Sequence, residues 1–113
     1  MVLPSHRRLF CVAAALALTA CLAPTLPLPP PAEPNLSGPN EEGLVHLTGN
    51  VRAEAWVFAL NRQSNVGTFQ GTGADGAYDL ALPAKVGDTL VLWYEFDGDV
   101  SESLLVEVPP PKP

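Results

Sequence analysis

The sequence predicts an all-β fold, a small sandwich of six or seven short strands. Three observations carry that reading. Between about Gly43 and Val108, apolar and polar residues alternate in short runs. The runs recur every ~8–12 residues between Gly, Asp and Asn turns, the spacing of a sandwich. No stretch of this region carries the apolar period of a helix.

Leu44–Thr48 is the first candidate strand, ended by Gly49-Asn50. Glu54–Asn61 (EAWVFALN) sets Ala55, Val57 and Ala59 against Trp56, Phe58 and Leu60, so both faces are apolar. Val66–Thr72 is a weaker strand, interrupted by Gly67 and Gly71. Asp75-Gly76 is a turn dipeptide of the kind that joins paired strands. Ala77–Leu82 follows, with Tyr78, Leu80 and Leu82 on one face and Asp79 on the other. Pro83–Gly87 makes a loop. Thr89–Phe96 (TLVLWYEF) is the strongest strand, with Leu90, Leu92, Tyr94 and Phe96 on one face. Asp97-Gly98-Asp99 turns the chain again, and Ser101–Val108 closes it with Leu104, Val106 and Val108 on one face. The expected core is Val57, Tyr78, Leu80, Leu82, Leu90, Leu92, Tyr94, Val106 and Val108. A unit of about 66 residues buries roughly 60 % of its chain's surface, so this core has little to spare.

The segments outside this unit are of different composition. His6, Arg7 and Arg8 precede the apolar run Leu9–Ala20 (LFCVAAALALTA), the anatomy of a secretory signal. The run is too short for a spanning helix, which needs ~20 apolar residues. Its end, Leu18-Thr19-Ala20-Cys21, resembles the lipobox of bacterial lipoprotein signal peptides. The resemblance implies cleavage before Cys21, a diacylglycerol thioether on its sulfur and an acylated amino group. Two or more acyl chains anchor stably where one does not. The alternative is an ordinary signal peptide cut at a small-residue site near a cysteine. Leu22 is not the aspartate associated with inner-membrane retention, so the resemblance leans towards the outer membrane.

Residues 22–42 hold Pro24, Pro27, Pro29, Pro30, Pro31, Pro34 and Pro39, and are expected to form a disordered spacer reaching up to ~60 Å from the anchor. Pro109, Pro110, Pro111 and Pro113 end the chain in the same style. The expected organisation is a removed signal (1–20), a lipidated cysteine with a proline-rich linker (21–42), the sandwich (43–108) and a proline-rich tail (109–113). With Cys11 removed and Cys21 carrying lipid, the mature domain has no thiol and no disulfide. Loss of Arg7 and Arg8 leaves four basic residues against twelve acidic ones, taking the formal charge from −6 to −8. Such a balance argues against nucleic acid as a partner.

Thr72–Asp99 (TGADGAYDLALPAKVGDTLVLWYEFDGD) is similar to a pattern of small bacterial Ig-like and carboxypeptidase-regulatory (transthyretin-like) domains, T-x-A-D-G-x-Y-x-L followed by G-D-x-L. The matching residues are Thr72, Ala74, Asp75, Gly76, Tyr78, Leu80, Gly87, Asp88 and Leu90, with Ala55-x-Val57 as the families' early strand. The resemblance implies a Greek-key sandwich and an accessory module without catalytic residues. It does not choose between the two families.

His46 is the only histidine beyond the signal, too few for a His-rich metal site and without partners for Ser-His-Asp chemistry. Asp75, Asp97 and Asp99 have no EF-hand spacing and read as turn residues. Glu95, Glu102 and Glu107 read as solvated carboxylates, not as a catalytic pair. No cofactor or metal is expected, and no enzyme activity. The aromatics are a sharper signal. If Val57 and Leu92 point inward, then Trp56, Phe58 and Trp93 point outward, as an interaction face unless a loop or the linker covers them. The expected function is a non-catalytic envelope lipoprotein, held at the membrane by its lipid and presenting a sandwich to an envelope protein. The alternative is a small-ligand or glycan-binding module that stacks its ligand on the same three rings.

Overall fold

The computed structural model describes residues 26–112, and these build two antiparallel sheets around one core. Their strands are β1 (Asn35–Leu36), β2 (Leu44–Asn50), β3 (Trp56–Asn61), β4 (Gly67–Gly71), β5 (Ala77–Pro83), β6 (Thr89–Phe96), β7 (Asp99–Val100) and β8 (Leu104–Glu107). One sheet runs β1-β2-β5; the other runs β4-β3-β6, with β7 and β8 sharing the far side of β6. Strand β6 returns to lie beside β3, and β4 flanks β3 on its other side. β5 comes next around the edge, where its Asp79 N–H donates to Gln70 Oε1 of β4 at 2.8 Å. Strands β3 to β6 therefore follow the order of a Greek key.

Every residue of the expected core is buried, and Val45 and Leu47 of β2 join it with Ala55, Ala59 and Ala84. The fully buried set contains no Phe and no Trp; Tyr78 and Tyr94 are its only rings, and Phe96 packs against it partly buried. Gly49 stands opposite Tyr78 in the β2–β5 ladder, where a Cβ would fall 2.7 Å from the phenol oxygen. A side chain at that position would displace the ring.

The two Asp-Gly dipeptides do different work. Asp97-Gly98 closes a two-residue hairpin between Phe96 and Asp99, and its φ values of 51° and 82° are both left-handed. That is the geometry the twist of paired strands selects. Asp75-Gly76 does not join paired strands, because β4 and β5 belong to different sheets. It carries the chain across the sandwich. Gly76 (φ 74°) sits against the Val51 carbonyl with no space for a Cβ, and the Val51 N–H donates to Gly76 O at 2.9 Å. Beside it the buried Thr72 hydroxyl accepts the Ala55 N–H at 2.8 Å and donates to Arg52 O at 2.9 Å. The motif residues thus pin this crossing to the β2–β3 connection.

The ordered unit begins before Gly43. β1 lies within the stretch expected to be a spacer and pairs Leu36 with Leu47 and Asn35 with Thr48. Leu28 and Leu36 pack on the core, and Pro31 is buried. The tail also packs: a Cβ on Gly38 would come within 2.5 Å of the Pro111 nitrogen. Extended proline backbone suits a sheet edge, where its missing N–H faces away from the ladder. The last expected strand is broken. Tyr94 opposes Ser101 and Leu92 opposes Leu104, so Glu102 and Ser103 together stand opposite Trp93 as a β-bulge. The Ser101 hydroxyl accepts the Tyr94 N–H at 2.9 Å, and the freed Glu102 N–H donates to Leu28 O at 2.9 Å.

Candidate interaction face

Strand alternation sends Val57, Ala59 and Asn61 of β3 inward and Trp56, Phe58 and Leu60 outward; β6 does the same with Leu90, Leu92 and Tyr94 against Val91, Trp93 and Glu95. The two outward sets share one face because Phe58 stands opposite Trp93 in the β3–β6 ladder. On the other side of β3, Phe58 stands opposite Phe69 of β4. The outcome is a row of three rings across three strands. Phe58 and Trp93 stack with centroids 5.3 Å apart and planes 8° from parallel; Phe58 and Phe69 lie 5.9 Å apart at 27°. Trp56 leans against the end of the row, 6.0 Å from Phe69 and tilted by 56°. Its ring lies over Gly71, which has no side chain to lift it.

Trp56 is 52 % exposed and Phe69 64 % exposed, while Phe58 and Trp93 are half-buried between their neighbours. Among the described residues, no loop or linker closes over Trp56 and Phe69. Val100 and Leu105 continue the apolar surface on the β7–β8 side, both about half exposed. Glu95 and Glu107 lie on this same face by register, so the surface expected to be polar around them is apolar with an acidic rim. The opposite outer face, on β2 and β5, carries His46, Thr48, Asp79 and Ala81 and is polar. Only one side of the sandwich presents aromatic surface.

Sequence reasoning placed Trp56, Phe58 and Trp93 together and missed Phe69. The signal for Phe69 was weak because Gly67 and Gly71 interrupt its strand, and its pairing depends on the β3–β4 loop. That loop is organised by Asn61, 1 % exposed. Its Oδ1 accepts the Gln63 N–H at 3.0 Å, and its Nδ2 donates to Asp88 Oδ2 at 2.9 Å and to Pro83 O at 3.2 Å. The Lys85 N–H also donates to Asp88 Oδ2, at 2.9 Å. These bonds, the Lys85 one foremost, hold the Asp88 carboxyl below the ordinary carboxylate value.

The other candidates do not converge on chemistry. His46 Nδ1 lies 3.5 Å from Asp79 Oδ1, an exposed pair with no nucleophile positioned by it. Asp75 Oδ1 accepts the Ala77 N–H at 3.1 Å, as a turn aspartate does. Among the described residues no three His, Cys, Asp or Glu side chains gather as metal ligands do. Cys21 lies outside the described residues. Comparison with protein-family models, with curated proteins and with solved structures finds no match.

Proposed function

We propose that this chain is a non-catalytic, lipid-anchored module of a bacterial cell envelope, whose outward aromatic row docks a protein partner. The observation that supports docking is the placement of the largest apolar side chains. Trp56, Phe58, Phe69 and Trp93 lie on the outer face, while Leu, Val, Ala and two Tyr fill the core and Phe96 packs against it, partly buried. A domain this small gains more from burying its rings than from showing them, and exposed apolar patches of this kind mark interaction surfaces. The rim of Glu95 and Glu107 suits a partner that flanks apolar side chains with Lys or Arg. Glycan binding fits less well. Sugars stack on ring faces, and here Phe58 and Trp93 spend their faces on each other at 8°.

The anchor rests on the Leu18-Thr19-Ala20-Cys21 resemblance, with the outer membrane as its address. The likeness of Thr72–Leu90 to Ig-like and carboxypeptidase-regulatory domains accords with an accessory role. Two substitutions test the two halves separately. Cys21→Ala should move the protein from the membrane fraction to the soluble one; continued membrane retention would sink the anchor. Crosslinking and pull-down from the native envelope should recover a partner with the wild-type chain and lose it with Trp56→Ala. Equal recovery with both chains would sink the docking face.

A further inference from the structure

We infer that β4 is a self-pairing edge: it aligns antiparallel with β4 of a second copy of this chain, about a two-fold axis through Phe69. The inference concerns the backbone edge and does not depend on the aromatic row binding a foreign protein.

Among the described residues, β4 is hydrogen-bonded to a strand on one side only, by β3. In that ladder the Thr72 N–H donates to Ala55 O at 2.8 Å and the Asn61 N–H to Val66 O at 2.8 Å. Antiparallel alternation then turns the amides and carbonyls of Gly67, Phe69 and Gly71 away from β3. All three residues are exposed. The neighbouring edges are closed. On the far side of the same sheet, Leu28 occupies the bulge at Ser101 and takes the Glu102 N–H. On β5, the Asp79 N–H is satisfied by the Gln70 side chain.

Edge strands are ordinarily guarded by lysine, proline, a bulge or a covering segment. β4 has no lysine, proline or bulge, β5 of the other sheet touches it through the Gln70 side chain, and no charged residue stands between Arg62 and Asp75 in a chain of formal charge −6. A two-fold axis could hardly bring two copies of so acidic a protein together elsewhere at lower electrostatic cost. The strand also carries a glycine two residues to either side of Phe69, with Thr68 and Gln70 between. Self-pairing sets Phe69 opposite its own copy and Gly67 opposite Gly71 of the other, so nothing crowds the two rings. The three-ring row of each copy then runs into the other, giving six rings across the joined sheet. Five-residue edges bury less than the ~1,600 Å² of a standard stable interface. The pair is therefore weak in dilute solution and gains where copies share a surface, which raises their effective concentration.

The register makes the test specific. In an antiparallel hydrogen-bonded pair the facing Cα atoms lie ~5.5 Å apart, within disulfide reach. Phe69→Cys in the full chain, oxidised in its native envelope, should give a covalent dimer absent from the wild type. Thr68→Cys should not, since its copy sits two residues out of register. Equal crosslinking of both variants, none from Phe69→Cys, or capture of a different protein instead, overturns the inference. A measurement without substitution guards against misfolding. In the wild type, hydrogen exchange at the Phe69 amide should slow several-fold as protein concentration rises, while that of Gln70 stays constant. A concentration-independent Phe69 amide overturns self-pairing.

Discussion

Asp88 is the residue whose chemistry makes the clearest demand on solution behaviour. Its carboxyl is held below 3.8 first by the Lys85 N–H, then by the Asn61 amide and the Lys85 charge. A group whose folded pKa is depressed adds stability above its unfolded value and loses it as the pH falls through the folded one. Asp88→Asn should therefore melt lower than the wild type near neutral pH. The gap between the two melting temperatures should begin to narrow below about pH 4, the unfolded value, and go on narrowing as the pH falls through the lower folded value, where Asp88 becomes neutral. A gap of the same size at about pH 7 and pH 3 would show that ionisation of Asp88 contributes nothing. Tyr78 acts at the other end of the scale. Burial raises its pKa above 10.0, so its contribution is complete below that value and is lost as the pH rises through the folded one. One carboxylate and one phenol thus bound the fold from the acid and alkaline sides.

Among the elements, the aromatic row separates packing from display. Trp93 is half-buried on an outer face, stacked on Phe58 at 5.3 Å. A core tryptophan replaced by alanine costs ~3–5 kcal/mol. A stacked surface ring should cost roughly 1–2 kcal/mol, the worth of one aromatic pair plus partial burial. Urea unfolding of Trp93→Ala distinguishes the two, and a loss above about 3 kcal/mol would return Trp93 to the core. The inward and outward sets of β3, β5 and β6 were legible in the sequence because side chains alternate strictly with the backbone pleat. Register was not. The meeting of Phe58 with Phe69 depends on a loop shaped by Asn61 and by Asn65 at φ 62°, and no alternation records it. The same limit explains the two Asp-Gly turns, identical as dipeptides. What separates them is whether the flanking strands pair, which at Asp75-Gly76 is decided by the distant Val51 carbonyl. β1 was hidden for another reason: proline runs read as spacer, although Asn35-Leu36 between them keeps two free N–H groups for an edge.

For the whole molecule, the proline segments change what the anchor can do. If lipid sits on Cys21, only six residues separate it from Leu28, which is seated on the β7–β8 edge. At ~3.1 Å per residue that is roughly 19 Å, where a spacer running to residue 42 would reach about three times as far. The domain then rides close to the membrane, and its leash leaves from the edge opposite β4. The β4 edge lies on the far side of its sheet from Leu28. This arrangement depends on the Glu102–Leu28 hydrogen bond and on the packed Leu28 and Pro31 side chains, so hydrogen exchange reads it directly. The Glu102 amide, bonded to Leu28 O at 2.9 Å, should be protected in the full chain, and so should Ser37, bonded to His46 O at 3.1 Å. Replacing Leu28 by Asp removes the apolar side chain that holds the segment down, so Glu102 exchange should rise towards the rate of an open loop. Ser37, anchored separately through β1, should keep its protection. Were Glu102 to exchange freely in the wild type, the leash would run as far as β1 and the domain would stand further off the membrane. A protected Glu102 in both chains would mean that the bulge itself, and not the seated leucine, shields that amide.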